Sequence, residues 1–231
     1  MWQLKKKWFT GVKNMTIVTP SEWLAGLARE SYLKQYPIEV INNGIDLNVF
    51  KPTHSNFRKQ YGIPGDKYIV LGVSFAWGYR KGLDCFVEMA EKLDERYQIV
   101  LVGTDDEIDK NLPQSIISIH RTQNQKELAE IYSAADVFAM PTREENYPTV
   151  NMEAIACGTP VVTFDTGGCA ETVDTSTGII VSVNEIDKLI EAIDVISQEQ
   201  INPEVYKKKV RNYSQDLKYM EYLELYSHVI S

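Results

Sequence analysis

Short apolar runs rich in β-branched residues alternate with longer amphipathic stretches along most of the chain. Six such runs predict strands at 67–74, 98–103, 115–120, 136–141, 160–164 and 178–183. Apolar residues at helical spacing predict helices at 82–95, 125–135, 148–157 and 185–197, and a helical tail at 203–229. Because strands joined through helices form parallel sheets, we predict an α/β fold with a doubly wound parallel sheet.

The first part of the chain predicts a βαβ unit of its own. It consists of a strand at 15–19, a helix from Ser21 to about Lys34, and a strand at 38–41. Residues 47–66 contain two prolines and little periodicity, so they predict a linker with a short helix. We therefore expect two units, residues 1–52 and residues 53–231, of which the first is the end of a second sheet. The alternative is that its two strands extend the larger sheet.

Charge and composition narrow the class of partner. The net charge is -8 at pH 7, whereas a nucleic-acid-binding surface is basic, so we expect no nucleic acid. A phosphate-bearing small ligand needs only a local positive site. Three widely spaced cysteines without a C-x-x-C pattern favour a reducing cytoplasm. No two of the three histidines have metal-ligand spacing, and no apolar run reaches the roughly 20 residues that span a bilayer.

The first eleven residues, MWQLKKKWFTG, combine three lysines with two tryptophans. One interpretation is a basic amphipathic segment that contacts an anionic membrane surface, which would place the protein at the inner face of the membrane. The other interpretation is a helix that packs on the rest of the protein, or on a part that this sequence lacks. The second interpretation is the more common behaviour of such a short segment.

In an open parallel sheet, ligands bind beyond the carboxyl ends of the strands, so the loops at those ends are candidates for a site. The loop at 75–82 brings Arg80 and Lys81 to the start of a helix. Two cations oppose the positive end of the helix dipole unless an anion lies there too, and a diphosphate would supply that anion. The alternative is a solvated pair of cations on a loop.

The loop at 141–148 leads into a helix that carries Glu153, and Glu145 lies in the loop itself. Thr149, Val150 and Glu153 share one largely apolar helix face, which directs Glu153 towards the sheet edge or the cleft. A buried carboxylate needs partners, and the two hydroxyls of a ribose would serve. The alternatives are a surface or capping role for Glu153 and simple exposure for Glu145.

Two further loops offer weaker candidates. Gly167 and Gly168 allow close approach of the backbone to a ligand, although a lone Gly-Gly pair is common. The polar loop at 120–125 could present backbone groups and Arg121 to a nucleotide base.

These motifs resemble those of the retaining glycosyltransferases of family 4, also described as glycosyl transferases group 1. The specific match is ENYPTVNMEAIACGTPVV, in which two glutamates are separated by seven residues. Supporting matches, in unbroken order from about residue 13 to residue 230, are TPS, NNGID, RKG, ELAEIYSAADVFAMPT and GGCAE. Members of this family have the GT-B architecture, in which two Rossmann-like domains face each other across a cleft. The resemblance implies that residues 53–231 are the carboxy-terminal, nucleotide-sugar-binding domain and residues 1–52 the remnant of the amino-terminal, acceptor-side domain.

The resemblance also implies roles for individual residues. Glu145 and Lys81 would be catalytic: the first positions the donor sugar and its anomeric carbon, and the second neutralises the diphosphate. Glu153 would hold the ribose hydroxyls, and the first helical amides would bind the phosphates. The donor-binding residues implied are Glu153, Arg80, Thr149, Val150, Tyr147, Gly167, Gly168 and Arg121.

Three departures from the family pattern matter. An arginine usual soon after the first strand is replaced by Val73 or Ser74, and Arg80 would have to compensate. NYP stands where Gly-Phe-Gly is common, and Pro148 has no N–H to give to a phosphate. Family members are usually nearly twice as long, and what this sequence lacks is the amino-terminal domain, which supplies most of the acceptor site.

The expected function is therefore transfer of a hexose from a nucleotide diphosphate sugar to a glycan or lipid-linked acceptor, with retention of configuration. We expect no cofactor and no metal, because the nearest acidic pair, Asp105-Asp106, lacks the D-x-D spacing. We also expect the chain by itself to be inactive. The alternatives are a non-catalytic nucleotide-sugar-binding module, a partner subunit of a transferase, or a sugar-nucleotide epimerase of the same architecture.

Overall fold

A computed structural model describes residues 1–198 and 203–230 and contains a six-stranded parallel sheet. The strands are β3 (Tyr68–Val73), β4 (Tyr97–Val102), β5 (Ile117–Ile119), β6 (Val137–Met140), β7 (Val161–Phe164) and β8 (Gly178–Val181). Their order in the sheet is β5-β4-β3-β6-β7-β8, and every pairing between neighbours is parallel. The predicted α/β fold with a doubly wound parallel sheet is confirmed.

A second, two-stranded sheet precedes the larger one. It pairs β1 (Ile17–Thr19) with β2 (Ile38–Val40) in parallel, and α2 (Glu22–Glu30) connects the two strands. Among the described residues β1 and β2 pair only with each other, so the alternative that they extend the larger sheet is wrong. The boundary after residue 52 stays a prediction, and residues 199–202 and 231 of the second unit lie outside the described residues.

Helices cover both faces of the larger sheet. The described residues form, besides α2, the helices α1 (Trp2–Phe9), α3 (Phe57–Gln60), α4 (Leu83–Lys92), α5 (Asp106–Asp109), α6 (Gln125–Ala134), α7 (Thr149–Ala156), α8 (Cys169–Thr172), α9 (Ile186–Gln198), α10 (Pro203–Val210) and α11 (Gln215–Ile230). Two 3₁₀ turns lie at Tyr79–Lys81 and Arg211–Tyr213. No helix in the described ranges is long and apolar enough to cross a membrane.

The central strands β3, β4, β6 and β7 are largely buried on both faces because helices pack on each side. Along β3, the side chains of Ile69 and Leu71 pack with α6 and α7, whereas Val70 points to the opposite core with α4 and α9. This alternation explains why β3 is a nearly continuous apolar run with no polar face. The carboxyl edge of the sheet, where the strands end, is left for the loops.

The predicted helical tail at 203–229 is present and consists of more than one helix. It is divided into α10, the second 3₁₀ turn and α11, with Ser214 between the last two. The cause is a backbone pairing with the small unit: the Ile45 N–H donates to the Tyr213 carbonyl at 2.7 Å, and the Gln215 N–H donates to the Ile45 carbonyl at 3.0 Å. These bonds take backbone groups that a continuous helix would use internally.

The first helix makes few contacts with the rest of the chain. Every residue of α1 is at least partly exposed, including Trp2 at 61% and Trp8 at 63%. The Trp2 ring meets the Tyr32 ring edge-on at 5.8 Å between centroids, and the Tyr36 hydroxyl donates to the Phe9 carbonyl at 2.9 Å. The segment is thus helical, as both interpretations of the sequence require.

Candidate functional site

A pocket of about 410 Å³ opens at the carboxyl ends of β3 and β6. Its walls are residues 73–77, Arg80 and Lys81 on one side and residues 139–142, Glu145 and 147–150 on the other. Asn43, from the small unit, completes the lining, and its side-chain amide donates to the Tyr147 carbonyl at 3.2 Å. The position matches the general rule for ligand sites in open parallel sheets.

The loop that carries Arg80 and Lys81 is attached to the loop after β6. The Arg80 carbonyl accepts a hydrogen bond from the Arg143 N–H at 2.9 Å and one from the Thr142 hydroxyl at 3.2 Å. Gly82 follows with φ of +75°, and a Cβ there would lie 2.3 Å from the Pro141 carbonyl oxygen. Glycine is therefore required at this point, both for its backbone angle and for the close approach of the two loops.

Arg143, in the loop after β6, also contacts the residues on either side of the Arg80–Lys81 pair. Its guanidinium donates two hydrogen bonds to the Asp84 carboxylate, at 2.8 and 2.7 Å, and a third to the Asn184 side-chain oxygen at 2.7 Å. It also lies 3.8 Å from the centre of the Tyr79 ring. Planar, two-pronged pairing and stacking of this kind are specific to arginine. The basic loop is thereby held at a fixed place beside the pocket.

Lys81 and Glu145 form an ion pair within the pocket lining. The Lys81 ammonium donates to Glu145 Oε2 at 2.5 Å, and the two side chains are 24% and 23% exposed. The other carboxylate oxygen, Oε1, accepts the Asn146 N–H at 3.0 Å. The structure thus brings together the two residues that the sequence predicts as catalytic. Arg80 lines the same pocket.

The amino terminus of α7 faces the pocket. Its cap residue is Pro148, and within the described part of the chain no side chain caps the helix. Thr149 and Val150, the first two helical residues, both line the pocket. Uncapped first-turn N–H groups and the helix dipole together favour an anion. Tyr147, which is 9% exposed, lines the pocket just before them, and burial raises the pKa of its hydroxyl to about 12.

Glu153 lies one turn further along α7, behind the pocket. The Tyr132 hydroxyl of α6 donates to its carboxylate at 3.2 Å. Burial raises the pKa of Glu153 to about 7, while hydrogen bonds from Tyr132 and Thr149 lower it. The Glu153 side chain is thus partly buried, and its hydrogen-bond partner on the neighbouring helix is a tyrosine.

The residues predicted as donor-binding do not all meet at the pocket. Among the described residues that line it, Glu153, Gly167, Gly168 and Arg121 do not appear. A Cβ on Gly167 would lie 1.7 Å from the Glu145 carbonyl oxygen, and one on Gly168 would lie 2.0 Å from that of Asn146. The close approach that these glycines allow is therefore to the backbone of the catalytic loop. Arg121 is exposed in the loop after β5.

A family model described as Glycosyl transferases group 1 matches residues 53–213. The chain belongs to this family. A D-inositol 3-phosphate glycosyltransferase of Mycobacterium tuberculosis is 34% identical over 170 residues, which cover 68% of this chain and 35% of that protein. The chain therefore spans little more than a third of the length of that curated relative.

Two solved structures show the same fold at low sequence identity. Sucrose-phosphate synthase from Thermosynechococcus elongatus superimposes with a TM-score of 0.83 at 24% identity, over 99% of this chain and 61% of that one. The Anabaena protein HepE, solved in complex with UDP-glucose, gives a TM-score of 0.78 at 18% identity, over 99% of this chain and 68% of that one. The architecture is that of the GT-B glycosyltransferases.

In this glycosyltransferase-family chain, sequence reasoning missed several residues that shape the pocket. Asn43 reaches it from the small unit, and Trp77 forms its floor, with an indole N–H that donates to the Val102 carbonyl at 3.0 Å. The role of Arg143 could not be predicted, because its partner Asp84 lies in α4, 59 residues away along the chain. For Trp77 the available signal was the aromatic content of FAWGY in a loop at a strand end.

The described residues contain no group of three His, Cys, Asp or Glu side chains placed to hold a metal ion. The expectation of a metal-independent site stays a prediction. All three cysteines are free and buried.

Proposed function

We propose that this chain is the donor-binding part of a retaining hexosyltransferase, which moves a sugar from a nucleotide diphosphate sugar to a glycan or lipid-linked acceptor. One observation carries the proposal: Lys81, Glu145 and the uncapped start of α7 surround a single pocket at the carboxyl edge of the sheet. A cation and free amides suit a diphosphate, and a carboxylate next to them suits sugar hydroxyls.

The chemistry follows from where charge develops. When the bond from the anomeric carbon to the diphosphate breaks, negative charge accumulates on the departing phosphate oxygen. Lys81 and the amides of Thr149 and Val150 are placed to stabilise that charge, and fixed donors of this kind contribute strongly to catalysis. Glu145 accepts hydrogen bonds from the sugar and holds the anomeric carbon in position. No metal ion is needed in this scheme.

Glu153 supplies the nucleoside end of the site. Its partly buried carboxyl interacts with Tyr132 and Thr149, and in this proposal ribose hydroxyls donate to it once the nucleotide is bound. The proposal also assigns Arg121 to the base, and Tyr147, which lines the pocket, to the donor. Because HepE was solved in complex with UDP-glucose, UDP is the first nucleotide to test.

A thermal-shift screen tests this function. UDP, GDP, ADP and their glucose and mannose conjugates are added separately, with EDTA present throughout. We expect one nucleotide series to raise the melting temperature, since a ligand at about 100 times its Kd stabilises the folded state by roughly 2.7 kcal/mol. Lys81→Met should remove the shift, and Glu144→Gln, an exposed neighbour of Glu145, should keep it. If no nucleotide at millimolar concentration shifts the wild type, the proposal is wrong.

The second candidate function is a non-catalytic binding subunit of a separate transferase. It would use the same pocket, because donor binding needs only the residues that line it. Co-purification with a separate amino-terminal domain chain supports this candidate if the complex transfers sugar only through the partner's own donor site.

A further inference from the structure

The cation and the carboxylate of the pocket are already paired to each other. The Lys81 ammonium lies 2.5 Å from the Glu145 carboxylate, and both groups face the space into which α7 points its free amides. A diphosphate at that place would contact the same ammonium. The two anions, phosphate and carboxylate, therefore compete for one cation.

The backbones of Lys81 and Glu145 are fixed, so a change of partner for the ammonium requires movement of side chains only. Lys81 is the last residue of a 3₁₀ turn whose Arg80 carbonyl accepts hydrogen bonds from Thr142 and Arg143. The Glu145 carbonyl packs so closely on Gly167 that no side chain fits there. A lysine side chain has four rotatable methylene groups and can swing its ammonium by several ångströms without movement of the loop.

From this geometry we infer that Lys81 is exchanged between Glu145 and the diphosphate of the donor, and that this exchange controls when Glu145 can bind the sugar. In the empty pocket the Lys81 ammonium is ion-paired with the Glu145 carboxylate. When the diphosphate binds at α7, it takes the ammonium, and the released carboxylate accepts hydrogen bonds from the sugar hydroxyls. The inference rests on the proposed function and adds a specificity mechanism to it.

The consequence is that the pocket distinguishes the donor from its product. A nucleoside diphosphate without a sugar must separate Lys81 from Glu145 and leaves the carboxylate without a new partner. A nucleotide sugar also separates Lys81 from Glu145, but its sugar hydroxyls donate hydrogen bonds to the released carboxylate. Once the sugar has been transferred, Glu145 recaptures Lys81 and weakens the hold on the nucleoside diphosphate, which assists its departure.

Glu145→Gln tests this exchange, because the amide keeps the shape but carries no charge, so it holds the Lys81 ammonium more weakly than the carboxylate does. The probes are UDP, GDP and ADP and the hexose conjugate of whichever binds, measured by calorimetry. We expect the nucleoside diphosphate to bind Glu145→Gln about fivefold more tightly than it binds the wild type, as the loss of a partly exposed ion pair implies. For each protein, the affinity for the sugar conjugate is compared with the affinity for the nucleoside diphosphate. This ratio should be about tenfold lower in Glu145→Gln than in the wild type, because the sugar hydroxyls lose a charged acceptor.

Two control variants separate the outcomes. Glu144→Gln removes the same charge one residue away and should leave both affinities unchanged. Lys81→Met should weaken the binding of the nucleoside diphosphate at least tenfold. If Glu145→Gln does not melt cooperatively, Glu145→Ala is measured in its place.

If the wild type binds and Lys81→Met does not, but the Glu145 variant binds the nucleoside diphosphate no more tightly than the wild type, the exchange is wrong while the donor site stands. If the wild type binds none of the nucleotides, both proposals are overturned.

Discussion

Glu153 has a partly buried carboxyl group on α7 that accepts a hydrogen bond from a tyrosine, and its environment favours the neutral form. Burial raises its pKa from 4.5 to about 7. Between those pH values the folded protein binds a proton that the unfolded chain has already released. The free energy of unfolding contributed by this group therefore falls as the pH rises through that window, and stays low above it.

Glu153→Gln should remove this dependence. An amide is uncharged at every pH and can still accept from Tyr132, so the variant should gain stability relative to the wild type as the pH rises from 4.5 to 7. The gain should level off at roughly 3 kcal/mol above pH 7, from about 1.4 kcal/mol for each unit of pKa. Urea unfolding of the wild type, Glu153→Gln and the exposed control Glu144→Gln at several pH values measures it. A difference between wild type and Glu153→Gln that does not vary with pH would contradict the buried carboxyl.

Site residues in local motifs could be predicted from the sequence, whereas residues that depend on contacts with distant parts of the chain could not. Lys81, Glu145 and Thr149 were identifiable because their motifs are local, each within a few residues of a strand end. Arg143 and Asn43 were not, because Asp84 and Tyr147, the groups that fix them, lie 59 and 104 residues away. Gly167 was recognised as a site of close approach, but the sequence does not say whether a ligand or the chain itself makes that approach.

At the scale of elements, the start of α2 joins the two units. The N–H groups of Glu22 and Trp23 donate to the Glu171 carboxylate at 2.9 and 2.8 Å. Ser21 caps the same helix, accepting from the Leu24 N–H at 3.1 Å, and its hydroxyl donates to Asn146 at 2.6 Å. Three first-turn amides are thus satisfied, two of them by a residue of the larger unit, and the carboxylate lies where the helix dipole favours it.

Glu171→Ala should loosen this junction. We expect faster hydrogen exchange in the peptide that covers residues 20–31 and a loss of about 1 kcal/mol in the free energy of unfolding, as for other lost helix caps. Hydrogen-exchange mass spectrometry measures the first effect and urea unfolding the second. Glu91→Ala, an exposed glutamate of α4, serves as the control. If exchange at residues 20–31 is the same in both variants, the carboxylate does not hold the helix.

Element boundaries were predicted well where the pattern is local. The strand predicted at 160–164 occurs as Val161–Phe164, and the helix predicted at 125–135 occurs as Gln125–Ala134. The break between α10 and α11 was not predicted, because its cause is a backbone pairing with Ile45, far away along the chain. Helical periodicity continues through the break and carries no sign of it.

At the scale of the whole molecule, the small unit is incomplete by the ordinary standards of sheets. Parallel sheets are normally covered on both faces and contain more than two strands, whereas β1 and β2 pair only with each other among the described residues. Large apolar side chains are exposed on two helices, namely Trp23 and Leu27 on α2 and Leu217, Met220 and Leu223 on α11. We propose that an amino-terminal Rossmann-like half covers these side chains and supplies the acceptor site.

This arrangement separates binding from transfer. The pocket that would hold the donor is built from residues of this chain, so the chain alone should bind the nucleotide found in the thermal-shift screen. Transfer also requires an acceptor held against the anomeric carbon, because correct placement of two reactants contributes a large part of the rate. We therefore expect no glycosyl transfer above background by the 231-residue chain. An assay for released nucleoside diphosphate, run with glycan and polyprenyl-phosphate acceptors, measures this, and Lys81→Met supplies the background. Extension of the chain with an amino-terminal half from a relative should restore acceptor-dependent release, whereas robust transfer by the unextended chain would show that the acceptor site lies within it.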